Sequence, residues 1–159
     1  IGLLVDGVPY LGAVADANHN ELFHACKGLG AYVNQTPIVV NPAADLTLGV
    51  TGVGTSHRRG KEHFVPFLKQ LLDEGGMFIR NGSGALMIAY VAAGRLLGYY
   101  ETHINSWDCL AGLVLVSEAG GQCSDFLKDQ GLTEGNPLLV AAPQLYPALA
   151  RMIGPSLNG

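Results

Sequence analysis

The chain has 159 residues, of which 48% are hydrophobic and 14% are charged, and its formal net charge is −4. This much apolar material predicts one substantial core and excludes a disordered chain. The acidic balance, with one basic cluster at residues 58–61, argues against nucleic acid as the main partner. No apolar run reaches the length that spans a bilayer, so we expect no membrane partner.

The three cysteines are Cys26, Cys109 and Cys123, an odd number without C-x-x-C spacing. They predict neither a disulfide framework nor a zinc site, and a reducing cytoplasm is the expected compartment. Cys109 and Cys123 lie among apolar neighbours and are predicted to be small core residues.

The first part of the chain is predicted to form antiparallel hairpins. Two strands between Leu3 and Ala15 join at Asp6-Gly7, a dipeptide typical of tight turns. Further strands are predicted at residues 21–26, 31–33 and 48–51. A loop over residues 52–60 then carries His57, Arg58 and Arg59.

The second part of the chain alternates helices with strands. Apolar residues at helical spacing predict helices over residues 61–72 and 85–94, a third that starts at Ser106, and a last one that Pro143 opens. Strands are predicted between them at residues 77–80, 97–101, 122–125 and 138–142. Leu145, Leu149, Met152 and Ile153 should share one face of the last helix. The alternation indicates an α/β fold.

The helix that starts at Ser106 belongs to the stretch SWDCLAGLVLVSEAGG, residues 106–121. Ser106 is its predicted N-cap, and residues 109–116 contain no polar side chain, which predicts burial on nearly all sides. Asp108 then lies in the first turn, where free N–H groups and the helix dipole favour a carboxylate that could bind metal. Acids are also common in first turns without any function, so the spacing alone leaves both interpretations open.

W-D-x-x-A-G followed by E-A-G-G resembles the C-terminal signature of the inositol monophosphatase family, the magnesium-dependent, lithium-sensitive phosphatases of sugar and polyol phosphates. Residues 82–101, GSGALMIAYVAAGRLLGYYE, are similar to a second block of that family, and residues 7–38 resemble its hairpin region. The resemblance runs from about residue 1 to about residue 142. It implies a layered α/β sandwich, with an antiparallel meander first and alternating strands and helices after it.

The resemblance also implies site residues. Asp108 corresponds to a family ligand of catalytic Mg²⁺, the expected cofactor, and Glu101 to the glutamate that hydrogen-bonds the substrate hydroxyls. Gly82, Ser83 and Gly84 match the backbone that lines the same pocket. Position 84 is usually alanine in the family, so the glycine here implies a change in packing or pocket shape. No residue of this chain is assigned a catalytic role.

Ordinary structural interpretations remain open for these positions. The connection from Glu101 to Asp108 is polar, as connections usually are, and a glycine pair before a helix is often only a turn. His103 is expected to be solvated, although it could tune substrate choice. Glu118 is expected to satisfy nearby backbone groups, and the histidines at 24, 57, 63 and 103 lack metal-site spacing.

The other family signature, D-P-[IL]-D-G-T, supplies two more aspartates for the metals and is absent, since no Asp-Pro occurs. An upstream glutamate that orients the attacking water has no counterpart either. The resemblance therefore implies that residues 1–159 form the C-terminal portion of one domain, with its first strand in the middle of that domain. One aspartate cannot supply the chemistry, so the chain alone is expected to be inactive.

The expected activity is magnesium-dependent hydrolysis of inositol monophosphate, or of a related sugar or polyol phosphate, by a metal-activated water. Histidinol phosphate and bisphosphorylated nucleotides are alternative substrates within the family. A different hypothesis is a non-catalytic half-domain that acts as a binding or assembly module. The presence of both Asp108 and Glu101 favours the enzyme, and the family implies a homodimer.

Overall fold

The computed structural model of the chain describes residues 1–56 and 58–157, so His57 lies outside the described residues. Two five-stranded sheets carry the fold. The first, which we call the hairpin sheet, consists of β1 (Gly2–Val5), β2 (Val8–Asp16), β3 (Glu21–Cys26), β4 (Ala31–Val33) and β5 (Thr36–Ile38). Its strands are adjacent in chain order and all pairs are antiparallel.

The predicted meander is confirmed in this sheet. Asp6 and Gly7 form the first turn with φ of 51° and 76°, the left-handed conformations that a two-residue hairpin needs. The predicted strands at 21–26 and 31–33 match β3 and β4. β5 was not predicted because Pro37 weakens a strand pattern; the structure places it on an edge strand, where proline is tolerated.

The second sheet, which we call the mixed sheet, has the strand order β7-β6-β8-β10-β9. Its strands are β6 (Val50–Gly54), β7 (Met77–Ile79), β8 (Gly98–Ile104), β9 (Gln122–Cys123) and β10 (Asn136–Ala141). β6 runs parallel to β7 and β8, whereas β10 runs antiparallel to β8 and β9. The carboxyl ends of the three parallel strands therefore meet at one edge.

The position of β6 corrects the predicted strand at 48–51 and the predicted loop at 52–60. Gly52 and Gly54 suggested a loop, yet both lie in the strand. A Cβ at Gly52 would lie 3.0 Å from the Tyr99 ring, and one at Gly54 would lie 2.5 Å from a Glu101 carboxylate oxygen. The strand carries glycine at these two positions because side chains of the neighbouring strand fill the space that a Cβ would need.

The helices are α1 (Val65–Asp73), α2 (Gly84–Ala92), α3 (Ser106–Glu118), α4 (Gly131–Glu134) and α5 (Tyr146–Ile153). α2 and α3 lie between the two sheets, in a core with Phe23 of the hairpin sheet and Leu138 of the mixed sheet. α1 and α5 cover the other face of the mixed sheet, where Phe67 and Leu149 pack around Tyr100. The layered α/β sandwich is thus confirmed.

Small residues of α3 allow this close layering. A Cβ at Gly12 of β2 would lie 2.9 Å from the Cα of Ala111, and a Cβ at Gly112 would lie 2.8 Å from the Cβ of Ile88 in α2. The A-G of the signature therefore lets α3 approach both the hairpin sheet and α2. At its far end, Glu118 accepts hydrogen bonds from the backbone N–H groups of Gly28 and Gly30, each at 2.9 Å, which confirms its expected structural role.

Several predicted element boundaries were wrong. The helix predicted over 61–72 is a 3₁₀ turn followed by α1, because Pro66 sets the start of the α-helix. Asn105, and not Ser106, is the N-cap of α3, and its side chain makes no capping bond. The strand predicted at 122–125 covers two residues, and the last helix starts at Tyr146. The four residues predicted to share one face of this helix, Leu145, Leu149, Met152 and Ile153, are all buried, although Leu145 is the N-cap and not part of α5.

Among the described residues, no helix has both the length and the apolar character that crossing a membrane requires.

Candidate active site

A cavity of about 400 Å³ lies at the edge where the parallel strands β6 and β8 end. Three connections contribute to its wall: the one after β6 through Thr55, Ser56 and Arg58, the one before α2 within residues 80–85, and the one between β8 and α3 within residues 101–108. Ligand sites of α/β folds commonly occupy such an edge. All five predicted site residues line this cavity: Gly82, Ser83, Gly84, Glu101 and Asp108. Their roles remain predictions.

Asp108 lies in the first turn of α3 with its side chain exposed at the cavity. Residues 1–56 and 58–157 contain no group of three His, Cys, Asp or Glu side chains that could hold a metal ion together. Mg²⁺ is commonly bound by one or two carboxylates, with waters and substrate phosphate as the other ligands. Asp108 fits one such ligand position, and the described part of the chain does not supply a complete protein cage.

Glu101 lies near the end of β8, half-buried, and accepts a hydrogen bond from the hydroxyl of Tyr99. Burial raises the pKa of Glu101 above its ordinary value, while the Tyr99 hydrogen bond acts in the opposite direction. Burial and the charge of Glu101 also raise the pKa of Tyr99, so that this tyrosine stays a proton donor. The pair gives the cavity a carboxylate that can accept hydrogen bonds from hydroxyl groups.

Ser83 is the N-cap of α2, and its hydroxyl accepts from the backbone N–H of Leu86 at 3.4 Å. Its own backbone N–H donates to the side chain of Asn81 at 2.9 Å, so this N–H is already engaged. The backbone N–H of Ser83 is therefore not free to donate to a ligand.

Gly84 borders both the main cavity and a smaller one of about 50 Å³ beside Glu101. A Cβ at this position would lie 2.8 Å from Cδ1 of Ile104, 3.3 Å from the Tyr99 hydroxyl and 3.4 Å from Oε2 of Glu101. The glycine at this position, where the family resemblance implies alanine, thus leaves room beside the tyrosine–glutamate pair.

Sequence reasoning missed three residues that contribute to the cavity or support it: Arg58, Arg80 and Tyr99. Arg58 donates to the side chain of Asn105 at 3.2 Å, and Arg80 lines the wall after β7. Tyr99 could have been found, because residues two apart in a strand share a face and Glu101 was already a candidate. The Arg58 contact joins residues 47 positions apart, and no local pattern reveals it.

His103 also lines the cavity and is partly exposed, so the expected solvation applies to only part of its ring. Its Nε2 lies 2.9 Å from the backbone oxygen of Glu134, and its Nδ1 is buried without a partner among the described residues. His57, which the sequence places in the neighbouring loop, lies outside the described residues.

The family model described as "Inositol monophosphatase family" matches residues 1–156. The chain belongs to the inositol monophosphatase family. It is 40% identical over 128 residues to the "Inositol-1-monophosphatase" of Synechocystis sp. (strain ATCC 27184 / PCC 6803 / Kazusa). The aligned region covers 79% of this chain and 45% of that protein. It is 36% identical over 150 residues to the "Nus factor SuhB" of Escherichia coli (strain K12), with 89% of this chain and 56% of that protein covered.

Among solved structures of this family, the inositol monophosphatase from Anabaena (Nostoc) sp. PCC 7120 superimposes with a TM-score of 0.82 at 34% sequence identity. The match covers 96% of this chain and 64% of that one. The layered fold is therefore that of the family. The chain spans about half the length of the two curated relatives named above.

Proposed function

We propose that this chain supplies the substrate-alcohol side of a magnesium-dependent phosphomonoesterase that hydrolyses inositol monophosphate or a related polyol or sugar phosphate. The observation that carries the proposal is the shared cavity of about 400 Å³ in which Asp108, Glu101 and residues 82–84 meet. Membership of the family supports phosphatase chemistry for a site of this composition.

Each residue has a proposed task. Glu101 accepts hydrogen bonds from hydroxyl groups of the substrate, and its negative charge keeps the phosphate away from that wall. Arg58 and Arg80 add positive charge at the cavity, which favours an anionic substrate. Asp108 would hold Mg²⁺, which when bound neutralises phosphate charge and makes water a stronger nucleophile.

We further propose that the 159-residue chain alone releases no phosphate, because the D-P-[IL]-D-G-T aspartates are absent from it. Magnesium-dependent release of inorganic phosphate should be measured for the chain alone and for the chain fused behind the N-terminal part of a family member. We expect the fusion to release phosphate and the isolated chain to release none. A matched fusion that carries Asp108→Asn should lose this activity. Activity of the isolated chain, or full activity of the Asp108→Asn fusion, would contradict the proposal.

Metal binding can be tested without catalysis. Paramagnetic Mn²⁺ should broaden the NMR signals around residues 101–108 of the isolated chain, and Asp108→Asn should abolish this broadening. Glu134→Gln is a suitable control because Glu134 faces a neighbouring cavity. Equal broadening in the wild-type chain and the Asp108→Asn variant would remove Asp108 as a ligand.

The active fusion would also settle the substrate. Inositol monophosphate should give the highest kcat/KM in a panel with histidinol phosphate and a bisphosphorylated nucleotide, since the cavity offers a carboxylate for several hydroxyls. A higher kcat/KM for either alternative would reassign the substrate while leaving the phosphatase proposal intact.

The relatives named "Nus factor SuhB" support a second candidate, in which the chain acts as a Nus factor and thus as a binding or assembly module. The test is whether the chain and its Asp108→Asn variant replace SuhB in an E. coli strain that lacks it. Replacement by both would favour a role independent of metal, and replacement by neither would count against this candidate.

We also propose that the protein is a cytoplasmic homodimer, and the family resemblance supports the dimer. The acidic composition supports the further proposal that nucleic acid is not its main partner. Sedimentation analysis of the purified protein, with and without added RNA, would test the dimer and the absence of nucleic-acid binding together.

A further inference from the structure

Tyr99 and Glu101 form an isolated pair at the cavity wall. Tyr99 is 2% exposed, and its hydroxyl donates to Oε2 of Glu101. Within residues 1–56 and 58–157, no other protein group donates a hydrogen bond to the Glu101 carboxylate. Tyr99 therefore fixes one carboxylate oxygen, and the other, beside the cavity, has no partner in the described ranges.

Two glycines make room for the pair. A Cβ at Gly54 would lie 2.5 Å from Oε2 of Glu101 and closer still to the Tyr99 hydroxyl. A Cβ at Gly84 would lie 3.3 Å from that hydroxyl and 3.4 Å from the same carboxylate oxygen. Side chains at these two positions would crowd the hydrogen bond between Tyr99 and Glu101. The two glycines therefore leave the space that this hydrogen bond occupies.

We propose that Tyr99 is a positioning residue that holds one oxygen of Glu101 so that the other faces the cavity as an acceptor for a ligand hydroxyl. The polyol nature of that ligand rests on the proposed function above, whereas the positioning itself does not. Tyr99 acts through Glu101 and needs no contact with the ligand.

The chemistry of the pair agrees with this role. A phenol that donates to a carboxylate stabilises the ionised form, which burial disfavours. An ionised carboxylate with one oxygen already bound can accept from hydroxyls but repels phosphate. The pair therefore orients a polyol phosphate, with its hydroxyls toward Glu101 and its phosphate toward Arg58 and Arg80.

The neighbouring tyrosine provides a matched control. Tyr100 is fully buried, lies on the opposite face of β8, and donates to the backbone oxygen of His63 at 3.4 Å. Tyr99→Phe and Tyr100→Phe each remove one buried hydroxyl from the same strand, but the first alone removes a donor to Glu101.

The first measurement is the pKa of Glu101 from the NMR shift of its carboxyl carbon in the 159-residue chain. Tyr99→Phe should raise this pKa, because a hydrogen bond to the charged form is lost, and Tyr100→Phe should leave it unchanged. The charges of Asp108 and Arg80 also shift the pKa of Glu101, upward and downward respectively. Neither residue is changed in the two variants. An unchanged pKa in Tyr99→Phe would overturn the proposal.

A readout in the wild-type chain covers the case in which Tyr99→Phe does not fold. The Cζ shift of Tyr99 should follow the titration of Glu101, and that of Tyr100 should not. A Tyr99 signal that ignores the Glu101 titration would overturn the proposal without any variant.

The second measurement is the dissociation constant for myo-inositol. Tyr99→Phe should weaken binding about tenfold in the wild-type background and have no effect in the Glu101→Gln background, since it acts through Glu101. Equal losses in both backgrounds would overturn the proposal. A wild-type chain that binds no polyol would count against the proposed ligand, while the pKa of Glu101 would still decide the positioning role.

Discussion

Asp16 and Glu101 both accept a hydrogen bond from a tyrosine hydroxyl, yet their surroundings differ. Asp16 is 3% exposed and accepts from Tyr90 at 2.7 Å, pairs with His19 at 2.7 Å, and accepts from the backbone N–H of Asn18 at 3.1 Å. These partners, Tyr90 first, lower its pKa to about 2. Among the described residues, Glu101 has Tyr99 as its one hydrogen-bond partner, and its pKa is raised.

The difference separates a structural carboxylate from a candidate functional one. The partners of Asp16 satisfy both of its oxygens, and they tie β2 of the hairpin sheet to α2. Glu101 keeps one oxygen next to a cavity with no donor from the described part of the chain, although burial makes its charge costly. A carboxylate that the fold leaves half-satisfied points to a ligand, whereas a fully bonded one does not.

The largest expected effect concerns binding. Glu101→Gln should weaken the binding of myo-inositol to the chain by tenfold or more, because the neutral amide is a poorer acceptor for hydroxyl groups. Asp16→Asn should leave that dissociation constant within twofold of the wild-type value. Calorimetric titration of both variants would contradict the comparison if Asp16→Asn caused the larger loss.

The next effect concerns stability, and the order of the two variants should reverse. Asp16→Asn should lower Tm by roughly 5 °C, since an amide cannot match the bonds that a carboxylate makes to Tyr90 and His19. Glu101→Gln should leave Tm unchanged or raise it slightly, because it removes a partly buried charge. Thermal unfolding at pH 7 measures both, and a larger loss in Glu101→Gln would contradict this assignment.

The pH dependence should differ in sign. The folded pKa of Asp16, about 2, lies below its ordinary value of 3.8, so its stabilisation is present above pH 4 and is lost as the pH falls toward 2. The folded pKa of Glu101 lies above its ordinary value of 4.5, so its ionisation lowers stability as the pH rises through that raised pKa. Urea unfolding between pH 2 and 7 should show the Asp16→Asn deficit vanish in acid, and a deficit that persists there would exclude ionisation as its cause.

The smallest effect concerns Gly84. Gly84→Ala should lower Tm by a few degrees, because the new methyl group would lie 2.8 Å from Cδ1 of Ile104. Ile104→Val removes that atom, so the double variant should recover most of the loss. If the double variant is no more stable than Gly84→Ala, the crowding lies against the Tyr99–Glu101 pair instead.

Local patterns in the sequence predicted much of the fold. Asp6-Gly7 located the first hairpin, and the apolar run of residues 109–116 indicated a buried helix. β6 was misplaced because Gly52 and Gly54 resemble loop residues until Tyr99 and Glu101 are seen above them. Its strand identity depends on a neighbouring strand, which no local pattern contains.

The candidate site was predictable where a motif carries it, as for Asp108 and Glu101. What surrounds these carboxylates was not. The contacts from Tyr90 to Asp16 and from Arg58 to Asn105 join residues 74 and 47 positions apart. Such partners follow from the packing of layers, so the half-satisfied state of Glu101 becomes visible only in three dimensions.

The helix α3 joins two distant parts of the molecule. Its first turn carries Asp108 at the cavity. Its last residue, Glu118, accepts hydrogen bonds from Gly28 and Gly30 in the turn between β3 and β4. With thirteen residues, α3 is about 20 Å long. One helix therefore connects the hairpin sheet to the candidate site, because one end of α3 carries the Glu118 contacts and the other carries Asp108.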